Sequence, residues 1–178
     1  MNLPRPARSA RSADGAARGL TLIELMIGLA ILAVLTSLAA SPLASWIARN
    51  RVKAAANHLV ADLGEARHEA TRRGTLLRVN FQPGAQWCYA LSLDPKLGCE
   101  ASGNAAVLKR VSAKEHPGVV IASADAIDFN DGSGTIAQTT ARVKLMSTQG
   151  DVLQVRMTRL GRATVCAPEG PFVGIPPC

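Results

Sequence analysis

The chain has 178 residues, 48% of them hydrophobic but only 3% aromatic, and a formal net charge of +7. That length holds one ordinary domain plus an additional segment. Histidines at 58, 68 and 116 are scattered, and there is no Gly-x-Ser-x-Gly, His-Glu-x-x-His or phosphate loop, so no nucleophile and base, metal triad or nucleotide cradle can be named and no cofactor is expected.

The first 19 residues carry Arg5, Arg8, Arg11, Arg18 and Asp14, so part of the basic charge belongs to them. The hexapeptide Gly19-Leu20-Thr21-Leu22-Ile23-Glu24 follows, and then 24 residues without a charge, Leu25 to Ala48. At 1.5 Å per residue such a helix reaches ~36 Å, enough to cross a ~30 Å hydrocarbon layer. A carboxylate at helix-centre depth costs roughly 2.5–3.5 kcal/mol, so Glu24 at the edge of this run needs a partner. A secretory signal peptide cut near Ser37-Leu38-Ala39 explains neither Glu24 nor the apolar continuation to Ala48. An uncleaved signal anchor has no use for Glu24. Arg49, Arg51 and Lys53 nearly balance the four earlier arginines, so charge alone does not orient the span.

Beyond Ala48 the apolar pattern turns amphipathic. Val52, Ala55, Ala56, Leu59, Leu63, Ala66 and Ala70 recur at three- and four-residue steps, which predicts one helix continuing to about Arg73 and stopping at Gly74. Pro42 predicts a kink or loosened turn inside it, and Gly28 a second weak point. His58 with Asp62, and Glu65 with Glu69, have the four-residue spacing of exposed surface pairs.

From Gly74 the period is two. Leu76–Phe81, Trp87–Leu93, Val107–Val111, Ala126–Phe129, Arg142–Met146 and Val152–Thr158 read as short strands, with a turn near Leu160-Gly161 and a last strand through Val165. In Val152–Thr158, Leu153, Val155 and Met157 are expected to face inward and Gln154, Arg156 and Thr158 outward. Asp128-Phe129-Asn130-Asp131-Gly132 lacks the one-three-five oxygen order of a calcium loop and reads as a turn. The expectation is an α+β fold: a long transmembrane and amphipathic helix packed on an antiparallel β-sheet or sandwich.

Cys88, Cys99, Cys166 and Cys178 are even in number and all lie in this part, which favours an oxidising compartment. Local pairing would close two short loops and fasten a Pro- and Gly-rich tail, but four cysteines allow three connectivities. A zinc site is not expected, because no Cys-x-x-Cys pair or closely spaced histidine is present, and no other metal site is read.

The hexapeptide and the apolar run after it resemble the processing site of type IV prepilins. The resemblance implies that a prepilin peptidase cuts between Gly19 and Leu20, that Leu20 is then N-methylated, and that Glu24 serves assembly by pairing with the terminal amine of a neighbouring subunit. The strand series after the helix, Trp87 with Asp94, Phe129 with Gly132, and the hairpin ending Leu160-Gly161-Arg162 resemble FimT/GspH-type minor pilins and pseudopilins. Some of that group bind DNA through a Gly-Arg-x-Arg turn; here Gly161 and Arg162 fit, but Thr164 stands at the second arginine. Arg156, Arg159 and Arg162, with Arg142 and Lys144 beside them, would then grip duplex DNA non-specifically through phosphates, whereas the plain alternative is a solvated basic face.

The organisation expected is a leader at 1–19, a filament-core span at 20–48, an amphipathic continuation at 49–73 and a periplasmic β domain at 74–178. The implied role is a minor pilin near the tip of a type IV pilus, aiding DNA uptake, with other pilin subunits, the peptidase and the inner membrane as partners. The equivalent pseudopilin of a type II secretion system and a signal-anchored periplasmic binding domain are the alternatives. None of the three is an enzyme.

Overall fold

The computed structural model describes residues 21–101, 103–168 and 172–178, with the backbone alone at 38–42. The leader expected at 1–19 and the junction between Gly19 and Leu20 lie outside the described residues. Helix α1 spans Leu22–Arg73. Thr21 caps it: its Oγ1 accepts the Glu24 amide at 3.3 Å, and its carbonyl accepts the Leu25 amide at 3.2 Å. Thr21-x-x-Glu24 is thus a capping-box sequence, and the glutamate also sits at the positive end of the helix dipole. At the other end Gly74, at φ 59°, takes the left-handed turn that a side chain would resist. In the last turn Glu69 accepts from Arg72 and Arg73, and those two guanidinium groups, Arg72 first, lower its carboxyl pKa to about 2.

Two compact units divide at Ser41 and Pro42, within a helix whose backbone continues through the proline. In the first unit Leu22, Ile23, Leu25, Met26, Ile27, Leu29 and their apolar successors to Leu35 are exposed. Among the described residues no helix is long and apolar enough to cross a membrane.

The second unit, Pro42–Cys178, holds the core. Its strands are β1 (Leu77–Gln82), β2 (Cys88–Ser92), β3 (Val107–Ser112), β4 (Val119–Ala124), β5 (Ile127–Phe129), β6 (Thr140–Ser147), β7 (Val152–Thr158) and β8 (Ala163–Cys166). They form two four-stranded antiparallel sheets, ordered β3-β2-β1-β5 and β4-β6-β7-β8. All seven small and aliphatic positions of the amphipathic stripe, Val52 to Ala70, are buried in one cluster with the inward faces of both sheets, among them Leu77, Val79, Ile121, Val143, Leu145 and Leu153. Trp87, Tyr89 and Phe129 are also fully buried, so the larger aromatics serve packing.

Three details differ from the sequence reading. β4 has no counterpart in it: Val119-Val120-Ile121 is a run without alternation, followed by Ala122-Ser123-Ala124, and its pairing with β6 shifts register between Ile121 and Ser123. Gln154 is buried, because the far face of β7 is covered at that level, where Gln154 lies opposite Cys166. Asp62 is buried rather than part of an exposed pair. Both disulfides are local, Cys88–Cys99 and Cys166–Cys178. The second holds the tail against the end of β8, where the Ala167 amide donates to the Pro176 carbonyl and the Cys178 amide to the Ala167 carbonyl.

Candidate functional site

Two places carry the functional residues that the sequence points to. At the start of α1, Glu24 is exposed in the first turn, with its amide held by Thr21. The expected cleavage point lies four residues ahead of Glu24 in the sequence, outside the described residues.

The other place is the β7–β8 hairpin. Its turn is closed by the Gly161 amide donating to the Thr158 carbonyl at 2.8 Å and the Thr158 amide to the Arg162 carbonyl at 3.0 Å. Gly161 has φ 72°, and a Cβ there would lie 2.1 Å from the Gly134 carbonyl oxygen, so only glycine fits. The Ile136 amide donates to the Arg159 carbonyl at 3.0 Å, which ties the turn to the segment after Gly134. The turn is therefore rigidly placed, with Arg159 and Arg162 exposed on it.

Arg156 does not join them. It lies on β7 between Arg142 of β6 and Thr164 of β8, and its Nη2 donates to the Cys178 carbonyl at 2.8 Å. Its Nε is buried without a partner. The structure thus splits the three arginines into a pair on the turn and one engaged by the tail. Arg142 and Lys144 are exposed on β6, as expected. Of the Asp128–Gly132 segment, Asp128 and Phe129 belong to β5 and only the residues from Asp131 form the turn; Asp128 pairs with Arg78 across the ladder to β1, at 2.8 Å through Nη2, and also accepts from Gln138 Nε2. Among the described residues no group of three His, Cys, Asp or Glu side chains is placed to hold a metal.

Sequence spacing missed a polar bracket between helix and sheet. Asp62 accepts the Tyr89 hydroxyl at 2.6 Å and Lys109 Nζ at 2.8 Å, and Lys109 also reaches Glu65 at 3.1 Å. Burial first, then the hydrogen bond to Asp62, pushes the Tyr89 phenol well above its ordinary pKa; the hydrogen bond to Asp62 likewise raises Lys109. Beside them His116 Nε2 and His58 Nδ1 are 3.3 Å apart, and His116 stacks on Trp87. Burial, and then His58, lowers the His116 pKa. The i,i+4 spacing of His58 and Asp62 was visible, but which way that helix face turns was not.

The helix with its buried small-residue stripe and the two sheets that clasp it have counterparts in known families. The family described as "Type II transport protein GspH" matches residues 55–161, and the prokaryotic N-terminal methylation motif matches residues 15–40. The chain belongs to the GspH family. As a GspH-family protein it carries the type IV pilin fold, seen also in the type IV minor pilin FimU of Pseudomonas aeruginosa PAO1. One crystal form of FimU is 20% identical, covers 70% of this chain and 97% of its own, and has a TM-score of 0.52. Another is 19% identical over 67% and 99%, at 0.49. A search of curated proteins finds no match. This GspH-family chain thus combines a methylation motif at the head of its helix with a β domain stapled twice by disulfides.

Proposed function

We propose that the protein is a minor pilin of a type IV pilus. It is made as a precursor, cut between Gly19 and Leu20 by prepilin peptidase, and methylated on Leu20. Its helix then holds it in the bacterial inner membrane, with the β domain in the periplasm, until it is drawn into the filament near the tip. The observation that carries this reading is the methylation motif at residues 15–40, lying directly ahead of a GspH domain. Glu24 is the residue by which assembly is governed: its carboxylate enters an apolar filament core only when matched by an amine. The protein acts by assembly and not by catalysis. At the tip, its basic turn would aid the uptake of duplex DNA.

Mass spectrometry of the full-length protein purified from membranes tests the processing step. The expected amino-terminal peptide begins at N-methylated Leu20. An intact precursor, or a start elsewhere, overturns the reading. A second reading, the pseudopilin of a type II secretion system, is favoured by the description of the matching family itself. A deletion strain separates the two: loss of surface filaments supports the pilus, and loss of protein export with filaments intact supports secretion.

A further inference from the structure

The edge of the second sheet ends in a trough that the described residues leave unfilled. β8 is an edge strand, and the hydrogen bond from the Thr158 amide to the Arg162 carbonyl fixes which of its backbone groups point inward. In an antiparallel ladder the bonded pairs alternate, so Arg162, Thr164 and Cys166 face β7, while Ala163, Val165 and Ala167 turn their amides and carbonyls outward. Ala167 is satisfied, because the tail lies alongside it and gives and takes a hydrogen bond through Pro176 and Cys178. No described residue pairs with the outward groups of Ala163 and Val165, although both residues are half-buried.

These groups open on two adjoining cavities between β8 and α1, of about 260 and 460 Å³. Both are lined by Val60 and Ala163, so they form one continuous trough. Gly64 stands in its helical wall, and a Cβ there would meet nothing within 4 Å. A glycine in a helix interior costs about 0.5–1 kcal/mol relative to alanine, and the folded monomer gives no packing reason for it. Close approach by another backbone would give one. The charged residues lining the trough are Lys53, Arg67 and Arg162, with no carboxylate among them.

We propose that this trough takes an extended, carboxylate-bearing peptide segment of a partner protein, added as a further strand to β8. The segment continues the pairing that the tail begins at Ala167, binds Ala163 and Val165 through its backbone, and sets an acidic side chain against Lys53 or Arg162. The occupant is a strand and not a helix, because unpaired edge groups spaced two residues apart can be satisfied only by extended backbone.

Proline supplies the test. At Val165 it removes an outward amide and leaves the ladder to β7 intact, which edge strands tolerate; at Thr164 it breaks an inward bond and should lower the thermal midpoint. The full-length protein in detergent micelles is titrated with the acetylated and amidated peptide EVTVTE. Expected are saturable binding, hydrogen-exchange protection of the Ala163 and Val165 amides, and binding at least tenfold weaker for Val165→Pro and for Gly64→Leu, which fills the trough. The same peptide with N-methylated alternate amides should not bind. The proposal is overturned by no saturation at millimolar peptide, or by equal binding to Val165→Pro and Gly64→Leu. It is also overturned if those amides are protected by self-association, or by duplex DNA in place of the peptide.

Discussion

Asp62 shows what a single buried charge does in this fold. The carboxylate is 2% exposed, which is tolerable only because the Tyr89 hydroxyl and the Lys109 ammonium both reach it. Removing one donor leaves the charge undersatisfied, so Tyr89→Phe should cost about 1.5–3 kcal/mol, the range for a hydrogen bond to a charged group. Urea unfolding at pH 7 measures it, and an unchanged midpoint would show that the bracket adds nothing to stability. His116 gives the bracket a pH dependence. Its folded pKa lies below the ordinary 6.5, so the unfolded chain binds the proton more readily. Its stabilising contribution is therefore complete above pH 6.5 and falls as pH drops from there toward the lowered folded value. Asp62 and Glu115 face the imidazole and oppose the shift, whereas His58 adds to it. Thermal midpoints should decline between pH 7 and pH 5.5, and His116→Phe, which keeps the stack on Trp87, should flatten that part of the decline.

The helix was legible as an element because its apolar residues keep one period from Val52 to Ala70, and every one of them is buried. Strands whose faces alternate, such as β7 at Leu153, Val155 and Met157, were equally plain. β4 was not, since a run of three β-branched residues and then three small ones carries no face signal. The hairpin lies between these cases. Its glycine and turn could be read, but the engagement of Arg156 by the tail depends on a disulfide closure that spacing left open. That engagement leaves Arg142, Lys144, Arg159 and Arg162 as the cations available to a phosphate backbone. If DNA binds there, retardation of a duplex should fall with salt at a log–log slope of at most about −3.6, and Arg162→Ala should lower the slope by about 1. Arg156→Ala should change binding little. Binding indifferent to Arg162, or none at low salt, would leave the turn as a solvated face.

In the whole molecule, burial divides the residues of α1 at about Ala48 and Val52, a few residues beyond the boundary between the two units at Ser41 and Pro42. The buried hydrophobic residues begin at Ala48, while the large apolar side chains described before it, Leu22 to Leu35 together with Leu43, Trp46 and Ile47, are exposed. This follows from composition: large apolar side chains all round a helix suit an apolar surrounding, whereas a stripe of valine, leucine and alanine opposite charged residues suits one face of a domain. The exposed apolar side chains from Leu22 to Leu35 are not members of the core cluster of the second unit. A fragment comprising residues 42–178 should consequently unfold in one cooperative transition, with a stability within about 0.5 kcal/mol of the full chain, the range of changes that touch no core contact. A fragment that begins at Asn57 removes Val52, Ala55 and Ala56 from the cluster, and the loss of Val52 alone should cost about 1.5–3 kcal/mol. Urea titration of both fragments, followed by circular dichroism, makes the comparison. Equal destabilisation of the two would place folding contacts ahead of Pro42 and remove the division of labour along the helix.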